Sequence, residues 1–514
     1  MKGKKQHLAL IGAFVAVGLS IAGCAPSAPN SSPGTAASNT ASLTVDIDGY
    51  PATLDPGLQY DTDSYTVYRN IFDQLVRRDP SDNKIVPWLA TKWTRVDDTT
   101  WQFTMRDGVK FSDGSPLTAE DAAFSIERIL DPATRSAQVA NFAAIDSASA
   151  SGSTLTIKTK FPSPTLLTYL TTLSVVPQAY LKKVGNTGFN ANPMGSGAYK
   201  FVSNIAGSQV VLTRNDSWWG PKPQIKDVVF RAVPEVASRV ADLQSGKAQI
   251  ATALTPDNAS QLKSQSSLQV LSAPTERVSY LAFNTINGGP TNSADVRKAI
   301  SMAIDYNSLI QTLEGGYAKP VNSVATPLNF GYPTNLPNYA MDLAAAKNLV
   351  QQSGNAGKTI TMATSPTYDP QIVQAVQANI QAIGLNVSIQ STDQATYLKK
   401  VQSANHDWGS IRFGQWSCSC EDADGVVYPL FRTGTVWSSY TNPAFDNAVD
   451  QARKTLDSGA RTKLYDEAYN VLAQDVPGIG LFQMTAIYGA TTKLQWKPDA
   501  QQSFFVSDMK LSAP

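Results

Sequence analysis

Alternating apolar positions open the folded part of the chain. Leu43, Val45 and Ile47 lie on one face of what reads as a half-buried strand. Trp101, Phe103 and Met105 repeat that alternation, Asp107-Gly108 has turn chemistry, and Val109 and Phe111 would return as the second arm of a hairpin over 100–111. The period then changes. Thr118, with Asp121 three residues on, predicts a capped helix whose buried stripe is Ala122, Ile126, Ile129 and Leu130. Leu155 and Ile157 mark another strand, and Pro162 and Pro164 break the chain before the next helix. Further along, Ser293 caps a helix with Val296, Ile300, Ala303 and Ile304 on its apolar face. Residues 359–364 read as a strand and 370–383 as a helix stopped by Gly384. Leu385, Val387 and Ile389 form a second strand. That is a βαβ unit and predicts a parallel sheet flanked by helices. No internal repeat is visible. Hairpins early and βαβ units late predict a multi-lobed α/β protein.

The first 40 residues follow a different pattern. Lys2, Lys4 and Lys5 precede an apolar run over 8–21, shorter than the ~20 residues that span a membrane easily but suited to a secretory leader. The run ends in Leu19-Ser20-Ile21-Ala22-Gly23-Cys24, which resembles a bacterial lipobox, where the thiol of Cys24 is acylated and becomes the mature N-terminus. The bland alternative is an ordinary leader with an incidental cysteine. Residues 1–23 are thus expected to be a signal peptide. Residues 24–40 are expected to be the lipidated cysteine and a Pro/Ser/Ala-rich leash too polar to fold, reaching on the order of 20 Å. Nothing later is apolar for long enough to span a bilayer.

Charge and histidine supply narrow the function. The formal net charge is +1, and removing the three leader lysines makes it −2, so there is no basic stripe for nucleic acid. The remaining length, roughly 490 residues, exceeds one core and calls for two or three domains. Of the two histidines only His406 lies beyond the leader, which rules out a multi-histidine metal site and leaves Ser–His–Asp or Cys–His catalysis dependent on that one residue. His406 reads as a surface or loop residue. Gly357-Lys358-Thr359 lacks the first glycine of a phosphate loop and reads as a turn before a strand. Asp97-Asp98 reads as solvated loop charge, and no acid/base pair of defined geometry is visible.

Several segments carry a family resemblance. WQFTMRDGVKFSDGSPLTAEDA over 101–122 is similar to the segment W-x-F-x-L-R-x-G-V-x-F-x-D-G-x-P-x-T-A-x-D-V of the family-5 extracellular solute-binding proteins. These are the peptide, oligopeptide and nickel receptors of ABC importers. PMGSGAY over 193–199, NDSWW over 215–219, VRKAISMAID over 296–305 and YTNPAFD over 440–446 resemble further stretches of that family, in order. The resemblance implies a periplasmic-binding-protein-like, two-lobed clamp of the type with an extra domain, built of mixed sheets and flanking helices. Lobe I would comprise 41–80, 190–275 and 486–514, domain II 81–189, and lobe III 276–485. The crossings would fall near Arg277–Phe283 and Leu481–Tyr488. Trp218 and Trp219 would be packing residues of lobe I. Solute would be buried between the lobes and closure would present a surface to the permease.

The resemblance also locates a pocket. In peptide-binding members a lobe-III Trp is followed three residues later by an Asp that pairs with the ligand's α-amine. Trp416 matches the Trp, but the amine position is Ser419, which supplies no counter-charge, so Glu421, Asp422 or Asp424 would have to do so. The expected ligand contacts are Tyr280, Phe283 and Asn284 at the first crossing, Trp416, Ser417, Ser419 and Asp422 in lobe III, and Trp437. With Cys24 acylated, Cys418 and Cys420 are the remaining thiols. A disulfide needs the backbone to turn between them; two buried reduced thiols, or a metal site shared with nearby carboxylates, are the alternatives. The implied protein is a monomeric, lipid-anchored receptor without cofactor or enzymatic activity. It would serve ABC permease subunits and their cytoplasmic ATPases and capture peptides or peptide-like solutes. Receptors for an oligosaccharide, an opine-like compound or a metal chelate, a secreted hydrolase, and a metal or haem carrier are the competing readings.

Overall fold

The computed structural model describes residues 41–512. The leader, Cys24 and the leash lie outside the described residues. A ten-stranded mixed sheet runs through the molecule. From one edge its strands are Asn386–Ser391, Thr359–Thr364, Ile411–Trp416, Leu268–Phe283, Gly478–Thr491, Ile250–Ala251, Ala41–Ile47, Ile225–Ala232, Gln209–Arg214 and Tyr199–Ile205. The βαβ expectation holds: Thr359–Thr364 and Asn386–Ser391 pair in parallel, joined by the helix Pro370–Gln381. Gly384, at φ 89°, takes the left-handed conformation that turns the chain out of that helix.

Two strands belong to both halves of the sheet. Leu268–Phe283 has 16 residues and Gly478–Thr491 has 14, and they pair antiparallel along nearly their whole length. Their ladder shifts register twice, once slightly between Ser279 and Tyr280 and once widely just before. Pro274 is opposite Thr485 and Val278 is opposite Gln483, so Thr275, Glu276 and Arg277 bulge against Met484 alone. Pro274 lacks an N–H, and side chains satisfy the bulged backbone: Thr275 Oγ1 donates to the Met484 carbonyl (3.0 Å), and Gln483 Nε2 donates to the Thr275 carbonyl (2.8 Å).

Separate cores lie on either side of this crossing. One packs Leu281, Phe283, Val296, Ile300, Ile360 and Phe413, including the apolar face of the helix Ala294–Ala303 after Ser293. Another packs Leu43, Val45, Ile47, Phe72, Val228 and Phe504. A third fills a four-stranded antiparallel sheet, Ala90–Arg95, Thr100–Met105, Thr154–Thr159 and Ile145–Ser151, covered by the helix Ala119–Leu130. The expected capping box is present there, with Asp121 accepting from the Thr118 N–H at 2.9 Å.

The hairpin expected over 100–111 is corrected. Thr100–Met105 pairs instead with Ala90–Arg95 and Thr154–Thr159. Val109 and Phe111 do not return along it; they bond to Leu117 and Ser115 around a second turn at Gly114 (φ 89°). Two Asp-Gly turns stand six residues apart, and it is the second that closes a pairing of Val109 and Phe111, with Leu117 and Ser115 rather than with Thr100–Met105.

Trp218 and Trp219 are packing residues that join two cores, Trp218 against the second and Trp219 against the third. Buried Asp73 ties the joint, accepting from Trp88 Nε1, Trp219 Nε1 and Ser196 Oγ, each at 2.9 Å. Gly195 and Gly197 run so close to the Ile71 carbonyl that neither has room for a Cβ, which accounts for the small residues of PMGSGAY. Asp73→Ala leaves three donors without an acceptor and is expected to lower unfolding free energy by on the order of 3 kcal/mol, read by urea denaturation.

Candidate functional site

At the crossing, the bulge leaves Glu276 and Arg277 facing a cavity of about 550 Å³. One wall comes from the start of the helix Thr62–Tyr68 and its approach, Tyr60, Asp61 and Tyr65, with Asn141 and Tyr169 beside them. The opposite wall is the segment that follows Ile411–Trp416: Trp416, Ser417, Cys418 and Ser419, then Asp424 and Tyr428, with Trp437 and Arg453 behind. A second hollow of about 310 Å³ shares Thr62, Arg277 and Gln502 with it.

The wall after Trp416 is a stiffened loop. Trp416 Nε1 donates to the Gly425 carbonyl at 2.8 Å, closing the loop on itself. Cys418 and Cys420 are joined by a disulfide with their Cα atoms 5.1 Å apart, closer than a straight strand allows, so the backbone turns as that reading required. Glu421 follows in the left-handed region at φ 49°. A Cβ on Gly425 would collide with both sulfurs. The joined sulfurs exclude the thiolate metal site, and no cluster of three or more metal-ligating side chains occurs among the described residues. Trp416 and Trp437 meet edge to face at 5.1 Å and form an aromatic corner.

The eight expected contacts divide evenly between the cavity lining and the interior. Trp416, Ser417, Ser419 and Trp437 line the cavity together. Tyr280, Phe283, Asn284 and Asp422 do not, and this corrects their placement. Tyr280 and Phe283 are each 2% exposed, in two separate hydrophobic cores beyond the bulge. Asn284 ties loops together, donating to the His406 and Gly409 carbonyls (2.7 and 3.0 Å) and accepting from the N–H groups of Ile286 and Asn287. Asp422 is locked by a two-pronged pair with Arg461 (2.5 and 2.7 Å), with Tyr465 and the Asp424 N–H as further donors. Ser419 keeps its place in the wall, and its carbonyl accepts from Gln501 Nε2 at 3.4 Å. His406 lies in the turn before Ile411–Trp416, its Nδ1 2.9 Å from Ser439 Oγ, away from the cavity lining.

The carboxylates that do face the cavity are Glu276, Asp424 and Asp61. Asp424 is 6% exposed, and its nearest cation is Arg453, Nε at 3.4 Å. Burial pushes its carboxyl up to about 6, against Arg453 and helped by Asp422. Glu276 has no ion-pair partner within 4 Å among the described residues. Burial, then the neighbouring Glu421, push it up to about 8 against the more distant charges of Arg78, Arg277 and Arg69. Glu421 is engaged elsewhere, with Arg78 (3.1 Å) and Asn83. Arg69 is likewise engaged, donating to Tyr60 Oη (2.6 Å) and Ser503 Oγ (2.9 Å). Sequence reading missed Glu276; the usable signal was a charged pair, Glu276-Arg277, just after Pro274 in an otherwise weakly polar strand.

The description "bacterial extracellular solute-binding proteins, family 5 Middle" matches residues 84–438. The chain belongs to this family. Its relatives include "Probable D,D-dipeptide-binding periplasmic protein DdpA" of Escherichia coli (strain K12), 30% identical over 452 residues, 84% of this chain and 86% of that protein. The glutathione-binding protein GsiB of Escherichia coli O1:K1 / APEC is 26% identical over 478 residues, 89% of this chain and 92% of that one. Among solved structures, the periplasmic binding protein DppA of Helicobacter pylori, in complex with the peptide STSA, superposes with TM-score 0.78 at 26% identity, covering 91% of this chain and 98% of that one. The substrate-binding protein CtaP of Listeria monocytogenes gives 0.83 at 25%, covering 91% and 99%. The two-lobed clamp is the family-5 fold, and family-5 proteins are extracytoplasmic transport receptors of ABC systems, not enzymes. The hydrolase reading is thereby set aside.

The sign of the Glu276 shift gives a test. Its folded value, about 8, lies above the ordinary 4.5, so the folded state holds the proton more tightly. Its contribution to stability is complete below the ordinary value and is lost as pH rises towards about 8. The melting temperature of the ligand-free protein is expected to fall over that window, and Glu276→Gln to flatten the decline. An equal decline in both proteins would refute the assignment.

Proposed function

We propose that this family-5 receptor captures peptides or peptide-like solutes carrying a cationic group, and that Glu276 and Asp424 receive the cation in place of Ser419. The observation that carries this reading is one cavity, bounded by parts of the chain on either side of the crossing, that holds the Trp416–Trp437 corner and both under-neutralised carboxyls. An ammonium brought against Glu276 replaces the missing counter-charge and draws that carboxyl towards its ionised form. The aromatic corner supplies apolar area for a side chain, and Ser417 and Ser419 offer hydroxyls for orientation. The peptide class is supported by relatives named for D,D-dipeptide and glutathione binding and by a structural neighbour holding a peptide.

The bulge at Thr275–Arg277 acts as the hinge in this reading, and lobe I (41–80, 190–275, 486–514), domain II (81–189) and lobe III (276–485) are the bodies it joins. Acylated Cys24 holds the receptor at the outer face of the membrane, within reach of the permease to which it delivers solute. Native mass spectrometry of the protein purified from membranes of its own host tests both parts. The expected mass is that of a chain beginning at acylated Cys24 with a cationic solute bound, and Trp416→Ala is expected to lose the solute. A solute without a cationic group would overturn the recognition reading, and an unacylated mature protein would overturn the anchor.

A further inference from the structure

Seven arginines of the described chain are buried, and six of them are accounted for. Arg69 donates to Tyr60 and Ser503, Arg128 pairs with Asp55, Arg461 with Asp422, and Arg77 with Asp508. Arg239 and Arg297 are each surrounded by backbone carbonyls at 2.5–3.0 Å. The seventh is Arg412. It is 1% exposed, and Nε and both Nη atoms have no hydrogen-bond partner. No carboxylate stands within 4 Å of it among the described residues.

What surrounds this guanidinium is aromatic. Its carbon lies 5.8 Å from the Tyr280 ring, 5.7 Å from Trp408 and 5.3 Å from Trp437. Ring faces attract a cation but accept none of its five N–H groups in the way an anion does. The strand that carries Arg412 is paired on both sides, to Ala282 and to Ala363, so its backbone is fixed in the middle of the sheet. Trp437 is the partition between Arg412 and the solute cavity, since one indole both packs on the guanidinium and lines the cavity. It sits on the irregular segment between the helices Val427–Phe431 and Pro443–Ala452, where a side chain can turn without disturbing the sheet.

We propose that Arg412 is an anion-recognition point behind the aromatic corner, reached when Trp437 swings aside, and that its fork takes a carboxylate in two parallel hydrogen bonds. A planar, permanently charged donor set with no internal acceptor matches a carboxylate in shape and charge. The carboxylate comes from the captured solute or from a small free acid. Only the first source rests on the cleft being the solute site.

Melting temperatures of the mature chain separate the sources. The probes are sodium acetate against sodium chloride at fixed ionic strength, and trialanine against its C-terminal amide, applied to the native protein, Arg412→Met and Arg412→Lys. A saturable rise with acetate that Arg412→Met abolishes assigns the site to a free carboxylate. A rise with trialanine but not its amide, lost in Arg412→Met, assigns it to the solute. In either case Arg412→Lys, which keeps the charge in a core of the same depth, is expected to bind the active probe at least tenfold more weakly. Arg412→Met is expected to melt at or above the native protein when no carboxylate is present. If acetate and trialanine act alike on the native protein and on a folded Arg412 variant, or act on neither, water solvates the guanidinium and the proposal fails. Failure of every peptide with success of acetate would remove the peptide reading of the cleft and leave this one standing.

Discussion

The ladder between Leu268–Phe283 and Gly478–Thr491 is the constraint on which the rest depends. These strands pair on both sides of the bulge, and the first of them brings Glu276 and Arg277 into the cavity lining. A continuous ladder would be stiff and would bury its alternate side chains in sheet-packed cores. The three-against-one bulge after Pro274 is its widest interruption, and there two charged residues, Glu276 and Arg277, line the cavity. In the proposed reading the same interruption is the hinge and also places the charges that meet a ligand. Within the bulge the Thr275 carbonyl accepts from Gln483 and the Arg277 N–H donates to Thr275 Oγ1, so these backbone groups need no solute, whereas Glu276 Oε2 is buried without a partner.

Electrostatics then sorts the carboxylates around the cavity into two sets. Asp422 and Glu421 have ion-pair partners in Arg461 and Arg78 and hold the loop after Trp416 in shape, although burial raises Glu421 too. Glu276 and Asp424 are left with weaker compensation, and burial raises both. A charge already satisfied inside a protein contributes little to recognition, whereas one held partly protonated gains from an incoming cation. Ser419, which lacks a charge altogether, is consistent with a cleft that has moved its counter-charge to other elements. The disulfide of Cys418 and Cys420 and the tryptophan tie to Gly425 keep that loop rigid enough for the arrangement to persist without ligand.

Much of the fold was legible because it rests on short-range chemistry. Thr118 with Asp121, Ser293 before its apolar stripe, and the strand–helix–strand run ending at Gly384 and Ile389 each carry their own start and stop signals. The failures are long-range. Nothing local says that Thr100–Met105 would find its partners at residues 90–95 and 154–159 rather than across the Asp107-Gly108 turn. Trp416, Ser417, Ser419 and Trp437 reached the cavity because the loop after Trp416 is one contiguous segment. Tyr280, Phe283 and Asn284 did not, because the bulge places the cavity-facing residues of the crossing at 276 and 277 and leaves the later ones in the core. Asp422 was misplaced because its partner Arg461 lies 39 residues away in sequence, on a helix whose packing no motif announced.

The central claim is that a cationic solute is received by a carboxyl at the crossing that is largely protonated beforehand. Calorimetry of solute binding near neutral pH, repeated in buffers of different ionisation enthalpy, measures the protons released. The account predicts release of a large fraction of a proton per solute by the native protein and close to none by Glu276→Gln. Binding without proton release, or equal release from both proteins, would contradict it.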